Sequence, residues 1–215
     1  MQRRSTLDLF SYWNDLRGTR SAPERRDIDP TRIRNALAYT FILQAQDEDF
    51  EFRLAGSHIC AAYCRELKQR SFTGLWQQKD RDAVDTLIKA VTDDHAVALL
   101  KFNATAEYGN SVDFETMLLP LRHNGATNTR MIGSMTALED PYWLGHRPIL
   151  EQRITGLRLI WPDDHLSDLA GRDLETGVET GIGIRPEVVG EGFEGGMPDG
   201  HRRYAHLAVI DGGKR

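Results

Sequence analysis

Cys60 and Cys64 stand four residues apart in a chain of 215, a spacing that would put both thiols on one face of a helix. Two thiolates could supply half of a tetrahedral metal site, but such a site needs about two more ligands. Neither a second Cys pair nor a nearby His pair accompanies them, so the two read as small apolar side chains rather than ligands. His58 and His95 flank the same stretch and are of the type that ligates haem iron. Gly181-Ile182-Gly183-Ile184-Arg185-Pro186 looks like a dinucleotide loop, yet it lacks the third glycine, the preceding strand and the following helix, and reads as linker. His201 and His206 lie without the Glu of a zincin helix, and no Gly-x-Ser-x-Gly elbow occurs. These residues support neither hydrolytic nor metal chemistry, and they leave the cofactor unknown.

The elements that would have to position any site follow from composition and periodicity. With 27 Lys+Arg against 32 Asp+Glu and a net charge of -5, the chain lacks the dense basic face that phosphate neutralisation on nucleic acid requires. No apolar run approaches the roughly 20 residues that span a bilayer. Met1-Gln2-Arg3-Arg4 leads into a segment without the apolar stretch of a signal peptide, and two cysteines make no disulfide framework. A cytoplasmic protein with no membrane insertion is expected, built on one core of about 100 to 150 residues with extensions. Residues 163–215 carry 11 acidic and 6 basic side chains and 11 of the 19 glycines, leaving 21 charges of each sign in the rest. That composition buries too little apolar surface to offset chain entropy, so 166–215 is expected to be mostly disordered, with a short strand or docking segment at 204–210.

Leu9, Tyr12, Trp13 and Leu16 form a helical stripe, with Ser5 and Asp8 at capping-box spacing and Gly18 as the stop. Asp29-Pro30 predicts a short helix over about 30 to 37. Residues 39–43 and 50–54 read as a hairpin turning at Gln46-Asp47-Glu48-Asp49. A helical middle follows, containing Ile59, Cys60, Tyr63, Cys64 and Leu67. A longer helix comes after it, with Asp80 as cap and Ala83, Val84, Leu87, Ile88 and Val91 as its apolar face. Three further strands are predicted at about 95–107, 112–122 and 128–138, with Pro120 marking a bulge or strand end, and another strand at 149–161. The economical packing is an α+β fold, a five-stranded antiparallel sheet with helices between strands 2 and 3 covering one face, an amino-terminal helix and an extra strand after the core.

Phe52-Arg53-Leu54-Ala55-Gly56-Ser57, Arg65-Glu66-Leu67 and Phe72-Thr73-Gly74-Leu75-Trp76 together resemble the PAS fold as it occurs in a bacterial family of stand-alone PAS proteins. Asp27-Ile28-Asp29-Pro30, Leu118-Leu119-Pro120-Leu121-Arg122 and Pro141-Tyr142-Trp143-Leu144-Gly145 fit the same family, and the resemblance covers about residues 7 to 145. The closing 206–213 is also similar to that family's endings. The division is therefore residues 1–29 as amino-terminal helix and linker, 30–145 as the PAS domain, 146–165 as an extra strand, and 166–215 as the acidic tail.

The resemblance implies a sensory or docking module. No histidine kinase, diguanylate cyclase or helix-turn-helix accompanies it, so its output passes through an unidentified signalling partner. Some PAS sensors bind haem through a histidine, but the resemblance places neither His58 nor His95 on such a motif. It places a small-molecule site under the helical middle, with Tyr63, Phe72, Trp76, Val84, Ile88 and Phe102 as wall residues. The facing of Phe102 depends on strand register. The family habit of dimerising through a leading helix puts a homodimer contact on Leu9, Tyr12, Trp13 and Leu16. Arg53 is expected to be structural, its guanidinium meeting a carboxylate or backbone carbonyls. The function expected is a non-catalytic PAS module binding a small ligand or protein partner. The alternative is a small enzyme of the ketosteroid-isomerase or polyketide-cyclase type, in which a pocket Asp, His or Tyr does acid-base work; there the helices usually precede the sheet, whereas here two strands come first.

Overall fold

The computed structural model describes residues 1, 3–47 and 49–161, the side chains of 126–128 excepted. The expectations for 166–215, among them the strand at 204–210 and the residues Gly181, His201 and His206, lie outside the described residues.

Helix α1 spans Arg4–Arg17 and stops at Gly18, whose φ of 56° is easily reached only without a side chain. The capping box is not used. Ser5 is inside the helix, Arg3 is the cap residue without a side-chain cap bond, and the Ser5 hydroxyl meets that of Thr136 at 3.0 Å. The short helix expected at 30–37 is replaced by two 3-10 turns, Pro30–Ile33 and Leu37–Tyr39, with bonds such as Ala36 N–H to Ile33 O at 2.8 Å. Asp29 does cap the first turn, accepting from Thr31 N–H at 3.0 Å.

Strands β1 (Thr40–Gln46) and β2 (Asp49–Ala55) form the hairpin, tighter than expected because pairing persists to Gln46↔Asp49. Then come α2 (Ser57–Ala62), α3 (Gln78–Thr92), β3 (Val97–Ala106), β4 (Ser111–His123), β5 (Ala126–Ala137) and β6 (Ile149–Ile160). All pairings are antiparallel, in the order β2-β1-β5-β4-β3-β6, so the extra strand is a full member of a six-stranded sheet. Pro120 neither ends β4 nor forms its bulge. It pairs with Met131, and the register shift falls one step later, between Leu121 and His123. It is tolerated because β3 pairs with β4 only as far as Ala98↔Leu118, leaving no ladder on that side to miss its N–H.

Alternation divides the sheet into two faces. The inner face, under α2 and α3, carries Phe41, Leu43, Phe52, Ala98, Leu100, Phe102, Phe114, Leu118, Met131 and Met135. The outer face carries Glu115, Met117, Leu119, Leu121, Ile132 and Ser134, and α1 packs there against β4 and β5. Leu9, Tyr12 and Trp13 are thereby buried within their own chain, Trp13 to 1% exposure, and Leu16 is half-buried. The stripe expected at a dimer contact is covered by the sheet of the same chain. Amphipathic period reveals that a face is buried and is silent on what buries it.

Candidate functional site

The segment after α2 is stitched to the edge of β2: Gln69 N–H donates to Phe52 O at 2.8 Å, Phe52 N–H to Arg70 O at 2.9 Å and Phe72 N–H to Phe50 O at 2.8 Å. These bonds aim Phe72 over the inner sheet face, and the 3-10 turn Thr73–Leu75 then delivers Trp76 beside it. Trp76 is followed by α3, whose start is tied to β6 by two bonds. Gln77 Nε2 donates to Glu151 Oε2 at 2.8 Å, and Ile154 N–H donates to Asp80 Oδ2 at 3.1 Å. Asp80 is therefore not the helix cap expected of it: it lies within the first turn and satisfies a β6 amide next to the register shift between Lys101 and Phe102.

All six expected wall residues converge. Tyr63, Phe72, Trp76, Val84, Ile88 and Phe102 are 5% exposed or less and belong to one cluster. Aromatic contacts run through it, from Phe72–Trp76 at 6.1 Å to Trp76–Phe102 at 5.1 Å and Phe102–Phe114 at 5.1 Å, spacings typical of attractive ring pairs.

Gln152 of β6 is the member that sequence reasoning missed. It sits beside Ala104 in the ladder, 1% exposed, and its Oε1 accepts from the Tyr63 hydroxyl at 2.5 Å. A glutamine in a strand of mixed polarity gives no sign of its facing, so only register brings it inward. Among the described residues its Nε2 has no acceptor, and neither has the buried indole N–H of Trp76. Buried donors left unpaired are costly, at about 1–3 kcal/mol each. Tyr63 is held neutral, since burial pushes its phenol far above the ordinary range.

The cysteines are not the buried apolar pair expected. α2 ends at Ala62, Cys64 has a φ of 49°, and the two side chains do not share a helix face. Cys60 is half-buried, its thiol pushed up in pKa by burial, and Cys64 is exposed. His58 is exposed and stacks on Tyr39 with ring centroids 4.5 Å apart. Among the described residues no three His, Cys, Asp or Glu side chains are grouped to hold a metal ion. An open groove of about 400 Å³ between α1 and the turns before β1 is lined by Arg3, Arg4, Ser5, Asp8, Asn35 and others; it is polar and lies away from the aromatic cluster.

The sequence of residues 1–136 matches the family model PAS_5, described as PAS domain. The chain belongs to the PAS domain family. In this PAS domain the five strands β2-β1-β5-β4-β3 make the sheet that the helices cover, and β6 extends it beside β3. Membership gives the chain the general character of a sensory module. Similar solved structures include the light state of the blue-light photoreceptor Aureochrome1 LOV, at 15% identity over 51% of this chain and 88% of that one, with a TM-score of 0.40. A light-oxygen-voltage domain studied with a flavin analogue matches at 13% identity over 52% and 85%, TM-score 0.42. The PAS domain of an HTR-like protein from Haloarcula marismortui matches at 16% over 46% and 81%, TM-score 0.35. None of the curated proteins matches the chain. No helix among the described residues is long and apolar enough to cross a membrane.

Proposed function

We propose that this PAS domain is a non-catalytic sensory module that takes up a small, largely apolar molecule between its helical segment and the inner sheet face. The observation that carries this reading is a pair of buried donors without acceptors among the described residues: Trp76 Nε1, in the same cluster as Tyr63, and Nε2 of Gln152, whose Oε1 accepts from the Tyr63 hydroxyl. The bonds from Gln77 to Glu151 and from the Ile154 N–H to Asp80 hold the Trp76 segment alongside the part of β6 that bears Gln152. A molecule bearing a carbonyl or ether oxygen on an apolar body would satisfy such donors while leaving the aromatic contacts in place. Its arrival would bear on β6 and α3, and the output would pass through protein contacts.

The acid-base alternative needs two ionisable groups converging in one pocket. Among the described residues of the cluster the ionisable one is Tyr63, whose partner is the neutral Gln152, and the buried Glu115 belongs to the outer face. This favours binding over catalysis.

Native mass spectrometry of the purified full chain, with an absorption spectrum, tests the reading. A bound small molecule that is lost in Gln152→Leu supports it. A bare chain mass, with absorption from the protein's own aromatics alone and no adduct on incubation with a metabolite extract, overturns it.

A further inference from the structure

The open groove of about 400 Å³ between α1 and the turns before β1 gathers polar groups from separate parts of the chain. Arg3, Arg4 and Asp8 come to it from α1 and its cap residue, and Asn35 and Tyr39 from the 3-10 turns. The Ser5 and Thr136 hydroxyls in its wall satisfy one another at 3.0 Å. The remaining groups are not matched in this way. Arg3 Nε is buried without an acceptor among the described residues, although the side chain as a whole is partly exposed. The Arg3 guanidinium stands 3.9 Å from the exposed Asp140, and that of Arg4 3.9 Å from Asp8, both longer than a hydrogen bond. Asn35 and Tyr39 make no side-chain hydrogen bond among the described residues, and the Tyr39 ring is stacked on His58.

These charges fix the class of molecule that suits the groove. Two guanidiniums attract an anion, and each presents a planar fork that a carboxylate accepts with two bonds. Asp8 repels a dianion such as phosphate and attracts a cation, so an anion alone leaves part of the wall opposed. Arg4 and Asp8 lie one turn apart on α1, with Nε and Oδ2 3.9 Å from each other. Opposite charges that close are met together by a ligand whose carboxylate and ammonium sit on a single carbon. The ammonium has three donors, for which Asp8 and the side-chain carbonyl of Asn35 are acceptors. A volume of about 400 Å³ is within the range of small-ligand pockets, about 300–1,000 Å³. A second hollow of about 270 Å³ further along α1 shares Asp8 and Asn35 with the first and leaves room for a side chain.

We propose that this groove binds a free α-amino acid, its carboxylate on Arg3 and Arg4 and its ammonium on Asp8 and Asn35. Bound there, the molecule ties the start of α1 to the turns ahead of β1. The groove lies away from the aromatic cluster, and the proposal is independent of any ligand in that cluster.

Thermal unfolding of the full chain, with each L-amino acid of proteins added in turn at about 5 mM, tests it. A ligand of about 0.1 mM dissociation constant raises the melting temperature by about 5 °C at that concentration. The expected result is such a rise for at least one amino acid and none for acetate or methylamine at equal concentration. The rise is expected to vanish in Arg3→Gln/Arg4→Gln and in Asp8→Asn, and to persist in Gln152→Leu. Asp8 is exposed, so its variant keeps the fold and remains informative should the arginine variant unfold. The absence of a rise with every amino acid overturns the proposal, as does an equal rise with acetate. Survival of the rise in Asp8→Asn, or in a folded arginine variant, also overturns it. Loss in Gln152→Leu alone moves the binding to the inner cluster and overturns it too.

Discussion

Trp13 of α1 donates its indole N–H to the carbonyl oxygen of Pro120 in β4 at 2.8 Å, with both residues buried. The bond joins the amino-terminal helix to β4 just past its last pair with β3, Ala98↔Leu118. Trp13→Phe keeps an aromatic body but leaves the Pro120 carbonyl without its donor, an expected loss of about 1–3 kcal/mol in urea unfolding. Trp13→Glu adds a buried charge and is expected to cost about 4 kcal/mol or more. A Trp13→Glu protein of unchanged stability that has merely changed from dimer to monomer would return the indole to a subunit contact.

Gly56 and Gly133 are required for close approach. A Cβ at Gly133 would meet the Met117 carbonyl and the Phe41 ring, and one at Gly56 the carbonyls of Leu37 and Ala38. Backbone cannot yield as a flexible side chain does, so Gly56→Ala and Gly133→Ala are each expected to destabilise by about 3 kcal/mol. Thermal unfolding checks this; Gly125→Ala, with open space around it but a φ of 87°, is expected to show only the milder cost of a strained turn.

Tyr63 and Gln152 form one buried polar unit, so their substitutions should not add. Gln152→Leu leaves the Tyr63 hydroxyl with only the Met135 sulfur, 3.7 Å away. Removing both groups, as Tyr63→Phe/Gln152→Leu, is expected to be less destabilising than the sum of the single changes by about 1 kcal/mol. A double-mutant cycle in urea measures this, and strict additivity would mean the bond contributes nothing.

Arg53→Ala is expected to change stability by less than about 0.5 kcal/mol, because the side chain is exposed and has no carboxylate partner among the described residues. A clear drop in melting temperature would restore the structural role that its place beside Phe52 suggests.

Hydrogen bonds from the Thr31 hydroxyl and then the Thr31 N–H hold the Asp29 carboxyl below the ordinary carboxylate range. A depressed folded-state pKa contributes stability that is present above the unfolded value, about 3.9, and is lost as pH falls through the folded one. Melting temperature measured from pH 2 to 6 should therefore show the wild type above Asp29→Asn at the upper end, with the gap closing toward pH 2. A gap that does not narrow on acidification contradicts the assignment.

The sequence by itself determined the kinds of element, their order and which faces are apolar, because period and turn chemistry are local properties. The alternation of Phe50-Glu51-Phe52, the face formed by Val84, Leu87, Ile88 and Val91, and the stop at Gly18 needed no tertiary information. Combined motifs at fixed distances also brought out the PAS resemblance, and with it the convergence of Tyr63, Phe72, Trp76 and Phe102. What covers an apolar face is a non-local matter: Leu9, Tyr12 and Trp13 could serve a second copy or the chain's own sheet, and only packing against β4 and β5 decided it. Caps behaved alike, since Asp80 bonds to Ile154, far away in sequence, rather than to its own helix. Gln152 was hidden for the same reason. A side chain's facing on a strand reverses with a one-residue slip, and register between distant strands is fixed by the whole sheet rather than by any segment of it.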